Sequence, residues 1–195
     1  MTSYTLNLKP LANPITIEHF EQLCQLNPEL KLETNHKGEL IVMSPTGYET
    51  GKNNANLIAD FIIWNRKYKL GVVCDSSTGF VLPNKAIRSP DVSWIAKTRV
   101  ANLTKSEKSK FLNLVPDFVL ELMSPSDNLE QIQNKMQEYI DNGAKLGWLI
   151  NPQQMQVEIY RPGQSKDVLS KPNSLSGEDV MSELVVELDF IWESA

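Results

Sequence analysis

Two carboxylates in this sequence stand where a carboxylate is costly. Glu121 lies inside Phe118-Val119-Leu120-Glu121-Leu122-Met123, where every neighbour is apolar. An ionised group in such a strand needs a cation, a metal or hydrogen-bond donors to offset its desolvation. Alternation puts it on the same sheet face as Val119 and Met123. Asp91 follows Pro90 and opens Asp91-Val92-Ser93-Trp94-Ile95, at the mouth of a second strand. Taken separately, Glu121 fits a structural ion pair and Asp91 a strand-entry turn. Taken together they offer hard oxygen ligands for Mg²⁺ or Mn²⁺, ions that keep several waters for a substrate phosphate. A metal held this way activates a water and neutralises charge on a scissile phosphodiester.

That chemistry calls for a cation nearby. The position two after Glu121 is Met123, which cannot serve. Lys135 lies roughly 90° from the centre of the apolar face of the following helix. From there its stem can run along the sheet and carry the ammonium to the carboxylates; otherwise it is a surface lysine. Ser124 and Ser126 add hydroxyls beyond the strand, and Ser126 is expected to cap the helix.

The surrounding pattern supplies elements to position these groups. Thr16 reads as the N-cap of a helix carrying Ile17, Phe20, Leu23 and Cys24, ended by Pro28. Residues 30–34 and 39–43 flank Asn35-His36-Lys37-Gly38 as a β-hairpin. A long helix spans 49–68, burying Leu57, Ile58, Phe61, Ile62 and Trp64. Strands follow at 72–74, 80–82, 91–95 and 117–123. Leu129, Ile132, Met136, Tyr139 and Ile140 then mark a helix that Gly143 stops. Strands at 146–150 and 156–161 complete the core, and 185–192 reads as a strand or a short helix. Within these elements, a core order of helix, three strands, helix, strand favours an α/β fold with a mixed sheet between helices.

No Gly/Ser- or Pro-rich linker divides the chain, so 1–195 is expected to be one domain. Residues 1–14 lack the basic start and apolar run of a signal peptide, and no stretch approaches the roughly 20 apolar residues of a membrane span. Cys24 and Cys74 read as reduced thiols of a cytoplasmic protein, and two histidines are too few for a His/Cys zinc site. Net charge is −5. Residues 85–110 nevertheless hold seven basic side chains against Asp91 and Glu107, which makes either a phosphate-binding surface or a solvated loop.

The blocks Met43-Ser44-Pro45, Ser89-Pro90-Asp91-Val92-Ser93 and Pro116-Asp117 through Glu121 to Ser126 resemble the Uma2 family of restriction-endonuclease-like proteins. So does the continuation through Lys135-Met136-Gln137-Glu138-Tyr139, Gly143 and Trp148-Leu149-Ile150-Asn151-Pro152. The resemblance spans nearly the whole chain. It implies the αβββαβ core of the PD-(D/E)XK group, with an N-terminal helix and β-hairpin added. It implies a Mg²⁺- or Mn²⁺-dependent endonuclease acting on DNA, with Asp91 and Glu121 on the two metal-binding acids. The group's lysine falls on Met123, a departure; families that move it to the next helix would place it at Lys135. Glu49 resembles a further acid that some members carry, and Asp117 a strand-start residue. Cutting both strands implies a homodimer. The competing reading is a catalytically silent nucleic-acid-binding or interaction protein on a nuclease scaffold.

Overall fold

The computed structural model of the chain describes residues 3–6 and 15–193, so the reading of residues 1–14 falls mostly outside it. A strand unmarked by the sequence, β1 (Ser3–Leu6), comes first. The helix α1 (Ile17–Leu26) begins as expected at Thr16, whose hydroxyl accepts the His19 amide. The hairpin is β2 (Lys31–Thr34) and β3 (Leu40–Met43), followed by α2 (Tyr48–Tyr68). Next come β4 (Gly71–Asp75), β5 (Phe80–Val81), β6 (Ile87–Arg88), β7 (Val92–Ala96) and α3 (Lys97–Ala101). The central strand β8 (Phe118–Leu122) leads into α4 (Leu129–Asp141) and β9 (Leu146–Asn151). The chain then forms β10 (Gln156–Tyr160), β11 (Asp167–Ser170), β12 (Ser174–Ser176), β13 (Val185–Glu187) and α5 (Asp189–Trp192). The undecided segment 185–192 thus holds both a strand and a helix.

One sheet runs β11-β10-β9-β8-β7-β4, with only β8 and β9 parallel, joined by α4. This is the expected mixed sheet, and α2, β4, β7, β8, α4 and β9 follow the order helix, three strands, helix, strand. A second sheet, β1-β3-β2-β6-β5, absorbs the hairpin, so the strand expected at 80–82 leaves the main sheet. Period-two alternation sorts the β8 side chains between two cores. Phe118 and Leu120 meet Phe61, Trp64 and Trp148 on the α2 face, while Val119 and Met123 meet Met136 and Tyr139 on the α4 face.

The cap of α4 differs from expectation. Asn128 accepts the Gln131 amide at 3.0 Å, whereas Ser126 stays in the preceding turn. That turn is closed by Asp127, whose carboxylate takes the Ser124 amide at 2.8 Å, which delays the helix by one half-turn.

Two glycines, one inside α2 and one just beyond it, are expected to respond oppositely to alanine. A Cβ on Gly71 would stand 2.2 Å from the Ile95 carbonyl and 2.4 Å from the Trp94 ring. Gly71→Ala should therefore lose about 1–3 kcal/mol in urea denaturation. Gly51 lies within α2 and its Cβ would meet only the Thr46 methyl at 3.9 Å. Gly51→Ala should gain about 0.5–1 kcal/mol by helix propensity.

Candidate active site

The antiparallel register of β7 and β8 sets Val92 opposite Leu120 and Ser93 opposite Val119. Extended one residue beyond the start of β7, that register would set Asp91 opposite Glu121. Residues so placed have Cβ atoms about 4.5–5.5 Å apart, and both point to the α4 face. Asp91 accepts the Leu122 amide through Oδ2 at 2.9 Å, which fixes it against β8.

The helix supplies the counter-charge. Lys135 and Tyr139 are four residues apart on α4 and share its inner face. The Lys135 ammonium lies 2.8 Å from Glu121 Oε1, and the Tyr139 hydroxyl donates to that same oxygen at 3.0 Å. Lys135 is buried, so the surface-lysine alternative does not hold. Its ammonium also reaches Glu33 Oε1 at 3.0 Å. Glu33 in turn receives the Ser89 amide at 2.9 Å and Arg88 Nη1 at 3.1 Å. Arg88 turns its other edge to Glu138 at 2.7 Å. The N-terminal hairpin is thereby tied to α4 across the site.

Burial pushes the Glu121 carboxyl up to about 7; Lys135 opposes this, and repulsion from Asp91 and Glu33 adds to it. Burial also raises Asp91, in spite of the Leu122 amide and the nearby Lys135 charge. Glu33 is as deeply buried, but Lys135, Arg88 and the Ser89 amide overcome that cost and hold it below its usual range. Desolvation would drain the proton from Lys135; Glu121 and Glu33 overturn this and keep it charged. Four carboxylates (Glu33, Asp91, Glu121 and Glu138) thus share two cations, Lys135 and Arg88. The shortfall is two positive charges, and it falls on the pair whose ionised form is disfavoured. A divalent cation fits that donor set. Among the described residues no three His, Cys, Asp or Glu side chains converge as a metal cage. Asp91 and Glu121 would therefore leave most positions to water, as Mg²⁺ prefers.

Several expected groups lie elsewhere. Glu49 is exposed at the head of α2, on the helix covering the opposite sheet face, and pairs with Lys52 at 2.5 Å. Met123 is buried against the α4 core and brings no cation. Asp117 sits at the far end of β8, where the Ala96 amide at 2.9 Å, Lys145 at 2.8 Å and Arg99 at 3.2 Å hold it, the structural role expected. The basic stretch 85–110 disperses. Arg88 joins the buried network and Arg99 faces Asp117, while Lys97, Lys105, Lys108 and Lys110 are exposed outside the cleft, as a solvated loop would be.

Sequence reasoning missed Glu33, Arg88, Glu138 and the polar role of Tyr139. The i, i+3, i+4 spacing of Lys135, Glu138 and Tyr139 on one helix face was the available signal. Glu33, Arg88, Lys135 and Glu138 line a cleft of about 900 Å³ between the hairpin and α4, with Tyr139 buried behind it. Among the described residues no helix is long and apolar enough to cross a membrane, and Cys24 and Cys74 are free thiols.

Residues 17–189 match the family model of Uma2, described as "Putative restriction endonuclease". A crystal structure of a "putative nuclease belonging to DUF820" from Anabaena variabilis ATCC 29413 superimposes with a TM-score of 0.77. That likeness covers 93% of this chain and 99% of the other at 19% identity, and shows the fold alone. No curated protein matches the chain.

Proposed function

The chain belongs to the Uma2 family, and on that premise we propose that it is an endonuclease hydrolysing phosphodiester bonds of DNA with Mg²⁺ or Mn²⁺. One observation carries this reading. Asp91, held on the Leu122 amide at 2.9 Å, lies close enough to Glu121 to repel it, the pair is two positive charges short, and the Lys135 ammonium is 2.8 Å from Glu121. Asp91 and Glu121 would hold the ion. When bound, it lowers the pKa of a water and screens the phosphate.

The chain's own residues do the rest. Tyr139 and Lys135 both grip Glu121 Oε1, which fixes the carboxylate that would hold the ion. Lys135 keeps a permanent positive charge where negative charge grows on the phosphate oxygens. Glu33, held by Arg88 and the Ser89 amide, anchors that lysine from its other side. In the reaction water oxygen bonds to phosphorus, the bond to the leaving sugar oxygen breaks, and a proton returns to that oxygen.

A catalytically silent binding protein is the second reading, favoured by one feature: the Lys135 ammonium is already shared between two carboxylates, as in a structural ion network. Relaxation of supercoiled plasmid separates the two. The wild type should nick plasmid in Mg²⁺ or Mn²⁺ and stop on chelation, while Asp91→Asn should not nick. An inactive wild type, or an active Asp91→Asn, would count against the nuclease. Cutting both strands of a duplex would bring two chains together as a homodimer; cutting one strand needs a single chain.

A further inference from the structure

The walls of the cleft bear on which form of DNA reaches the site. Outside the buried network they carry Glu39, Asp127 and Asp141 against Lys31 and Lys37. Added to the shortfall of two within the network, the cleft as a whole lacks three positive charges. A bound divalent cation still leaves it negative by one. A protein that grips a duplex through its backbone neutralises about 6–10 phosphates across both strands. Two lysines beside three acids do not make such a surface, and the exposed lysines of 97–110 stand outside the cleft.

The cleft has instead an apolar side. Ile41, Met43 and Ile132 are half-buried along it, and these offer contact to the flat faces of bases rather than to phosphates. At the tip of the hairpin the His36 side chain is 55% exposed, a ring on which a base can stack. The cavity, about 900 Å³, has the size of a site for a small-molecule-sized ligand, about 300–1,000 Å³. That is room for a short piece of one strand.

Building on the nuclease reading above, we propose that the cleft takes an unpaired DNA strand, with one phosphate at Asp91 and Glu121 and adjacent bases against Ile41, Met43, Ile132 and His36. Bases in a duplex are stacked and paired, so the apolar wall has nothing to contact until the strands open.

The test uses the full chain and one labelled oligonucleotide in three forms: single strand, blunt duplex, and duplex with a single-stranded flap. In Mn²⁺ the single strand and the flap should be cut at least about tenfold faster than the blunt duplex, which must first be unpaired. A duplex cut as fast or faster overturns this inference and leaves the nuclease reading standing. If no form is cut, the nuclease reading fails, and fluorescence anisotropy in Ca²⁺ decides the cleft assignment. Tighter binding of the single strand, weakened about fivefold or more by His36→Ala and unchanged by Lys105→Glu, supports it. Equal binding of all forms, or binding lost with Lys105→Glu and kept with His36→Ala, overturns it.

Discussion

Replacing Lys135 with alanine should cost both activity and the fold's margin of stability. The variant leaves the Glu33 and Glu121 carboxylates buried without the ammonium they share at 3.0 and 2.8 Å. Removing one partner of a buried ion pair costs about 3–5 kcal/mol, because the charge left behind is uncompensated. At pH 8 that loss should appear nearly in full in urea denaturation. Near pH 5 much of it should be recovered, since a Glu121 deprived of its cation takes up a proton more readily still. Plasmid nicking should fall by about 10²–10³-fold, the range for losing one preorganised positive or donor group at a transition state. Lys135→Arg should keep stability better than activity, because the charge survives while its position changes. A Lys135→Ala chain as stable at pH 8 as the wild type would remove the buried pair from the account.

Replacing Glu121 with glutamine should separate stability from function in the opposite direction. The folded chain raises this carboxyl from the usual 4.5 to about 7, chiefly by burying it. A group with a raised pKa lends its full stability below its unfolded value and loses it as pH rises through the folded one. Between about pH 4.5 and 7 the metal-free wild type should therefore lose on the order of 3 kcal/mol through this residue. Glu121→Gln should flatten that slope, remaining as stable at pH 8 as at pH 5.5 in this respect, and should be inactive. In the wild type, Mn²⁺ should raise the melting temperature more at pH 8 than at pH 5.5, because the ion competes with the proton for the carboxylate. Thermal melts of both chains with and without Mn²⁺ at the two pH values read all of this. An equal Mn²⁺ response in Glu121→Gln would place the ion elsewhere.

How far the site could be read in advance depended on whether burial leaves a mark in local sequence. Glu121 was visible because β8 is apolar on both sides, so a carboxylate there stands out. Asp91 followed from it, as the residue that opens the neighbouring strand. Lys135 was reachable from helix geometry, though its burial was not. Glu33 was hidden for a physical reason: in Lys-Leu-Glu-Thr the alternation reads as a solvent face. Lys135 from α4 and Arg88 from β6 close over Glu33 on that face, and a strand as short as Ile87–Arg88 has no period to announce it. The same strand explains why charge density misled. Arg88 counts as basic in 85–110 yet turns inward to Glu33 and Glu138, so the sum along the chain described no surface.

The core order survived because α2, α4 and the strands between them are long enough for periodicity to accumulate. The short pieces did not. Strands β11 to β13 are three or four residues each and lie on exposed or polar stretches, too short for alternation to accumulate. The cap of α4 shows the limit of local rules in another way. Ser126 and Asn128 are both good caps, and the choice was made by Asp127 folding the intervening turn onto the Ser124 amide.

Whether Asp91 and Glu121 hold a divalent cation beside Lys135 is read by an anomalous difference map from crystals of the protein soaked in Mn²⁺ at pH 8. The expected result is one strong peak between the two carboxylates, within about 2–2.3 Å of an oxygen from each. A map with no peak there, or with its peak at Glu49 or among the lysines of 97–110, would contradict the account.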